Sequence, residues 1–242
     1  MKKYIFPVHG GWNDFFNSDG FVVIRGVFSP ERCDEFLAAL RQHADGDFAA
    51  IHNIERDPPE GRGLKIAEKI FKDELVVTIL DTLCEAEVVA LGNQTLFKER
   101  GTRWADQAWN PHQDNSYPQT PNGEYTTINI FLADADKENG GLYMYPCSHK
   151  EGLLPFERTI SIREAVGQNP GNTVVIPERY IDKKVDLIVR VGDILFLHGH
   201  VIHGSYPNTS TRSRPLFSVS YIPRGTKFKS GKNNQRKEIE VR

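Results

Sequence analysis

The sequence predicts a mainly β protein in which helices flank a sandwich, jelly-roll or barrel core. Two observations carry this. After residue 86 the chain breaks into short β-rich runs separated by Gly, Pro, Asn and Asp clusters, the pattern of strands joined by turns. Helical spacing is confined to the first third, apart from a faint trace near 158–168. Strands therefore do not alternate with helices as a parallel α/β sheet requires.

The elements follow in order. Gly20-Phe21-Val22-Val23-Ile24-Arg25 is a β-branched run after a turn residue and reads as a strand. Ser29-Pro30-Glu31 has the chemistry of a helix start, with Ser as N-cap, Pro at the first helical position and an acid in the first turn. Phe36, Leu37 and Leu40 continue at helical spacing. Residues 52–63 form a polar, Pro- and Gly-rich connection, and from Leu64 to about Cys84 the apolar positions describe one or two amphipathic helices. Strands are expected over 88–97, 125–133, 141–146, 185–191, 193–197 and 216–222. The last residues, 227–242, mix basic side chains with two glutamates and read as a solvated or frayed terminus. The expectation is one domain over 1–242: a mainly helical part with one strand (1–86), a core (87–223) and a charged tail (224–242).

Composition excludes some partners. A net charge of −2 gives no broad positive field for nucleic acid or anionic membrane, so neither is expected as a partner. No apolar run approaches the roughly 20 residues needed to cross a bilayer. The opening residues have two lysines but no continuous apolar stretch, unlike a signal peptide. Cys33, Cys84 and Cys147 form no CxxC pair and read as ordinary thiols of a reducing compartment. A cytoplasmic protein, monomeric or homodimeric, is expected.

Chemistry concentrates in three places. In Pro111-His112-Gln113-Asp114, residues two apart on an extended segment face the same way, so His112 and Asp114 present an imidazole and a carboxylate side by side. Those are two of the three ligands of a 2-His-1-carboxylate facial triad, which leaves positions on Fe(II) open. The second place, His198-Gly199-His200-Val201-Ile202-His203, follows an apolar strand and offers three candidates for the remaining ligand, any other histidine serving as support. The third is Arg214, at the head of the strand run Pro215-Leu216-Phe217-Ser218. Its planar fork would take the distal carboxylate of 2-oxoglutarate bidentately, and Arg212 competes for that role.

Four ordered stretches resemble the phytanoyl-CoA dioxygenase-like branch of the iron/2-oxoglutarate oxygenases. They are Asp19-Gly20-Phe21 through Phe28-Ser29, Pro111-His112-Gln113-Asp114, Asn139-Gly140-Gly141 through Ser148-His149, and Gly192-Asp193 through His203-Gly204-Ser205, Asn208 and Arg214. The resemblance implies a double-stranded β-helix (jelly-roll, cupin-like) core with helices packed around it. It places Fe(II) on His112, Asp114 and His203 and the 2-oxoglutarate carboxylate on Arg214. Ser205 would help hold that carboxylate, and Gln94 would contact co-substrate or substrate. Thr127 and Asn129 share one face of their strand and look into the barrel. Cys147 replaces a glycine of the family pattern at a turn where positive φ would be strained. The resemblance gives His149 a structural role. With Asp114 present, hydroxylation of a small-molecule substrate using O₂ is expected, with release of succinate and CO₂. The loops 99–110 and 115–124 would wall the site, with Arg100, Arg103, Trp104, Trp109 and Tyr117 as contacts. Two other readings stand beside this one: a cupin-like metalloenzyme without 2-oxoglutarate, and a non-catalytic jelly-roll binding module.

Overall fold

The computed structural model describes residues 5–7, 10–43, 52–53, 62–100, 105, 108–158, 171–229 and 236–242. Its strands are β1 (Ile5–Phe6), β2 (Phe21–Ile24), β3 (His52–Asn53), β4 (Val88–Lys98), β5 (Trp109–His112), β6 (Thr126–Phe131), β7 (Leu142–Met144), β8 (Phe156–Arg158), β9 (Asn172–Val174), β10 (Val185–Asp186), β11 (Ile194–His198), β12 (His203–Ser205) and β13 (Arg214–Pro223). The helices are α1 (Asn13–Asp19), α2 (Pro30–His43), α3 (Arg62–Phe71) and α4 (Glu74–Cys84). A seven-stranded sheet runs β1-β2-β11-β6-β13-β4-β3, and a four-stranded sheet runs β10-β7-β12-β5. Apart from the short parallel β1–β2 pair, their ladders are antiparallel. Among the described residues no helix is long and apolar enough to cross a membrane.

Strand alternation explains how three layers stack. In β2, Val22 and Ile24 join Phe16, Phe36, Phe71, Ile79 and Leu80 of the helices in one core. Phe21 and Val23 face the other way, into a second core with Leu142, Met144, Val201 and Leu216. Strand β11 divides likewise, Ile194 and Phe196 toward the helices, Leu195 and Leu197 toward the smaller sheet. Both faces of these central strands are buried, which is why they read as continuous apolar runs. Each large side chain sealed this way contributes on the order of 1.5–3 kcal/mol.

Local signals at the helix ends hold. The Arg32 N–H donates to Ser29 Oγ at 3.2 Å, and Pro30 opens α2. The single or double helix expected after Leu64 is two, because Asp73 breaks the run and caps α4 by accepting from the Val76 N–H at 3.1 Å. Two expectations need correction. The stretch 185–191 is strand only at Val185–Asp186, with Val189 forming a lone bridge to Ala135. The charged tail does not fray at its end. Ile239 exchanges both backbone hydrogen bonds with Ala90 at 2.8 and 3.0 Å, Val241 is buried in the helical-side core, and Arg224 pairs with Glu240. Charged neighbours hide these two apolar anchors in the sequence. Most of 52–63 and of the faint helical trace near 158–168 lie outside the described residues; Arg158 itself ends β8.

Candidate functional site

The site forms where the two sheets face each other. Strands β5 and β12 are antiparallel neighbours, and their register sets His203 directly opposite His112. The two imidazole centroids are 4.2 Å apart. Asp114 begins a short 3-10 turn just past β5, and its Oδ1 lies 3.5 Å from His112 Nε2 and 3.6 Å from His203 Nε2. The ligand atoms of these three residues all fall within 4.8 Å of one another, and among the described residues no other His, Cys, Asp or Glu cluster could hold a metal ion in this way.

Each ligand is aimed by a neighbour. His112 Nδ1 bonds the Asn110 carbonyl at 2.7 Å and His203 Nδ1 the Val201 carbonyl at 3.1 Å, which leaves both Nε2 lone pairs toward the centre. The Thr127 hydroxyl donates to Asp114 Oδ2 at 2.6 Å, so the free Oδ1 is the oxygen that faces the imidazoles. Burial alone would raise the Asp114 carboxyl. His203 and His112 beside it, with the Thr127 hydroxyl, outweigh that and hold it well below the usual carboxylate range. Burial first, and then His112, push His203 down to about 4, so it is a neutral imidazole at neutral pH. An ionised carboxylate beside a neutral His203 imidazole suits the binding of a divalent metal.

Gln94, Leu96, Trp109, Thr127, Asn129, Leu142, Gly204, Ser205, Arg214, Leu216 and Ser218 line the same pocket as the triad. Arg214 is the decisive one. It is 1% exposed, and its Nε and Nη1 are buried with no hydrogen-bond partner. Burial pushes this guanidinium down to about 9. A buried cation without a counter-ion is costly, and here it faces a pocket that a carboxylate can enter. Arg212, the competitor, is instead exposed and paired with Asp136. Ser205 lines the pocket beside Arg214. The preceding Gly204 has no alternative, since a Cβ there would come within 2.5 Å of the Trp109 carbonyl and 2.3 Å of the Tyr143 hydroxyl.

The remaining residues sort by contact. Asn129 accepts from the Ser218 hydroxyl at 2.7 Å, and Gln94 is exposed at the pocket mouth. Trp109 lines the pocket; Tyr117 turns away, its hydroxyl accepting from the Asn172 N–H at 3.1 Å, and Arg100 is exposed. Arg103 and Trp104 lie outside the described residues. His198 and His200 stand apart from the metal ligands and brace the loop behind Asp114. His200 Nε2 bonds Asn115 Nδ2 at 2.8 Å, and His198 Nδ1 accepts from the His200 N–H at 3.1 Å. Gln113 ties the same loop to the His200 and Gly152 carbonyls. His149 bonds the Asn17 carbonyl, and Cys147 takes the positive φ of 67° that its glycine-type position demands. Sequence reasoning missed Gln113, Asn115 and Lys98; the last is fully buried behind Ser205.

The donor set fits a non-haem iron ion, and the unpaired Arg214 fork fits a dicarboxylic co-substrate beside it. Fold and site together define the class of jelly-roll iron- and 2-oxoglutarate-dependent oxygenases. Within that class the chain belongs to the phytanoyl-CoA dioxygenase (PhyH) family, whose pattern matches residues 16–216. A phytanoyl-CoA dioxygenase of Arabidopsis thaliana is 32% identical over 114 residues, a match covering 46% of this chain and 38% of that relative's length. A phytanoyl-CoA dioxygenase domain-containing protein 1 of Danio rerio is 24% identical over 84% of this chain and 86% of its own. Among solved structures, the epimerase SnoN in complex with Fe3+, alpha ketoglutarate and nogalamycin RO superposes with a TM-score of 0.70. It is 19% identical and covers 90% of this chain and 84% of its own.

Proposed function

We propose that the protein hydroxylates a small organic molecule, coupling this to oxidative decarboxylation of 2-oxoglutarate by O₂ to succinate and CO₂. The observation that carries the reading is the unpaired, buried Arg214 guanidinium in the same pocket as the His112–Asp114–His203 cluster. A cupin-like enzyme without 2-oxoglutarate, or a binding module, has no use for both.

The roles follow from the contacts. His112, His203 and Asp114 would hold Fe(II), with Thr127 fixing which carboxylate oxygen faces it. Arg214 and Ser205 would hold the distal carboxylate, so that the 2-oxo acid end reaches the metal. Bound iron supplies O₂ activation; the chain supplies orientation and an enclosed pocket. Leu96, Leu142 and Leu216 line that pocket with apolar surface, and Trp109 and the exposed Gln94 stand where substrate would enter. Hydroxylation is the simplest outcome with Asp114 in place. A structural neighbour named as an epimerase has the same fold, so the fold also carries reactions that end without a new hydroxyl group.

The test is an anaerobic titration of metal-free protein with Fe(II) and 2-oxoglutarate, following the visible charge-transfer band of the chelate. The band is expected, and it should vanish in His112→Ala and weaken in Arg214→Met. Iron bound to folded protein without any band would overturn the co-substrate reading. Aerobic succinate release, stimulated by panels of small metabolites, then separates hydroxylation from epimerisation by product mass: +16 against no change.

A further inference from the structure

Lys98 is fully buried, which is rare for a lysine, and it stands directly opposite Arg214 in the β4–β13 ladder. Like charges in facing positions repel, and here neither is exposed to water. Lys98 is the next inward-facing position after Gln94 and Leu96, one step behind the pocket lining. Its Nζ donates to Ser205 Oγ at 2.9 Å and to the Tyr206 carbonyl, and it lies 5.1 Å from the centre of the Trp109 ring. The stem passes over Gly140, where a Cβ would come within 2.8 Å of Lys98 Cδ, and Asn208 Nδ2 holds the Lys98 carbonyl at 2.7 Å. The lysine is therefore held in a fitted channel that ends on the Ser205 hydroxyl.

We infer that Lys98 is a positioning residue for the co-substrate: its ammonium donates to Ser205 Oγ and thereby turns that hydroxyl's own proton toward the carboxylate held by Arg214. This rests on the 2-oxoglutarate reading above. The logic is one of hydrogen-bond direction. A hydroxyl that accepts from an ammonium has its single proton left for the pocket. A neutral amine can accept from Ser205 and turn that proton away. Burial, and then Arg214, push Lys98 well below its ordinary value. The Tyr206 phenol donates to Asp186 at 2.7 Å, while the Lys98 ammonium bonds only the Ser205 hydroxyl and the Tyr206 carbonyl, with no carboxylate against it among the described residues. An arriving carboxylate supplies negative charge to both cations, so binding should draw a proton onto Lys98.

The test is calorimetric. Anaerobic Fe(II)-loaded protein is titrated with 2-oxoglutarate, and with pyruvate, which lacks the distal carboxylate, in two buffers of different ionisation heat at pH 7, where Arg214 already carries its proton. The wild type should take up a substantial fraction of a proton with 2-oxoglutarate and none with pyruvate. Lys98→Met should abolish the uptake, weaken 2-oxoglutarate about 10- to 100-fold and leave pyruvate within about 2-fold. Added to Ser205→Ala, it should cost about 2-fold or less, because both act through one hydroxyl. No proton uptake by the wild type, unchanged 2-oxoglutarate affinity in Lys98→Met, equal loss for both ligands, or additive effects would each overturn the inference. The wild-type measurement needs no variant to fold. Failure of the parent reading looks different: 2-oxoglutarate would not bind the wild type, or would bind without needing Arg214.

Discussion

Replacing Arg214 by methionine should make the metal-free, ligand-free protein more stable while it disables co-substrate binding. The guanidinium is 1% exposed, and two of its nitrogens lack partners. Burial takes it from its ordinary value down to about 9. That depression means the charged form is disfavoured in the folded state. The penalty is present in full below pH 9 and is relieved as pH rises toward the unfolded value. Its ceiling at neutral pH is about 5 kcal/mol, at about 1.4 kcal/mol per pH unit of displacement. Relaxation lowers this, and methionine fills much of the same volume, so a gain of about 2–4 kcal/mol is expected. For a chain of 242 residues that is roughly 5–10 °C in Tm. The opposite sign is expected for binding. Losing a buried, charge-assisted carboxylate contact should weaken 2-oxoglutarate by about 2–4 kcal/mol, roughly 30- to 1000-fold. Urea unfolding of the apo protein and anaerobic titration of the Fe(II) form measure the two effects separately. A variant less stable than wild type that still bound 2-oxoglutarate normally would refute the reasoning, because Arg214 would then be a structural cation.

Two further outcomes follow from the contacts. Thr127→Val removes the hydroxyl that fixes Asp114 Oδ2, so Fe(II) affinity, measured by competition with a chelator, should fall roughly 10- to 100-fold; an unchanged affinity would show that Asp114 orients itself. Burial and the neighbouring His149 and His200 push His198 down to about 3, so its contribution to stability is complete above an unfolded value near 6.5 and is lost as pH falls toward 3. The unfolding free energy of the apo protein, from urea titrations, should drop across that window by about 1.4 kcal/mol per pH unit for this group, and His198→Gln should flatten the slope; an identical slope would assign the acid sensitivity elsewhere.

How far the site was legible depends on the length of the pattern that encodes it. His112 and Asp114 declare themselves by two-residue alternation at the end of an extended run. The choice among His198, His200 and His203 is not in local spacing at all. It is made by the β5–β12 register across a strand of three residues, too short to show a period. Arg214 and Arg212 differ because one opens a long ladder and the other sits in a turn beside Asp136. Lys98 ran against expectation, since nothing in a charged residue at a strand end announces complete burial; its partners, Ser205 and the Tyr206 carbonyl, are over a hundred residues away. The tail misled for the converse reason. Ile239 and Val241 sit two apart, the spacing of a strand edge, but four charged neighbours mask them.

The placement of the anchors has a consequence for which acids the pocket accepts. His112 and His203 belong to the four-stranded sheet and Arg214 to the seven-stranded one. A 2-oxo diacid that ligated the metal and met Arg214 would therefore span the gap between the layers like a strut. The sandwich itself would then act as a gauge of diacid length, with Leu142 and Leu216 among the residues that line the space. On that reading, selectivity for chain length would be stored in the packing that sets the sheet separation, and core substitutions far from the pocket would recalibrate it.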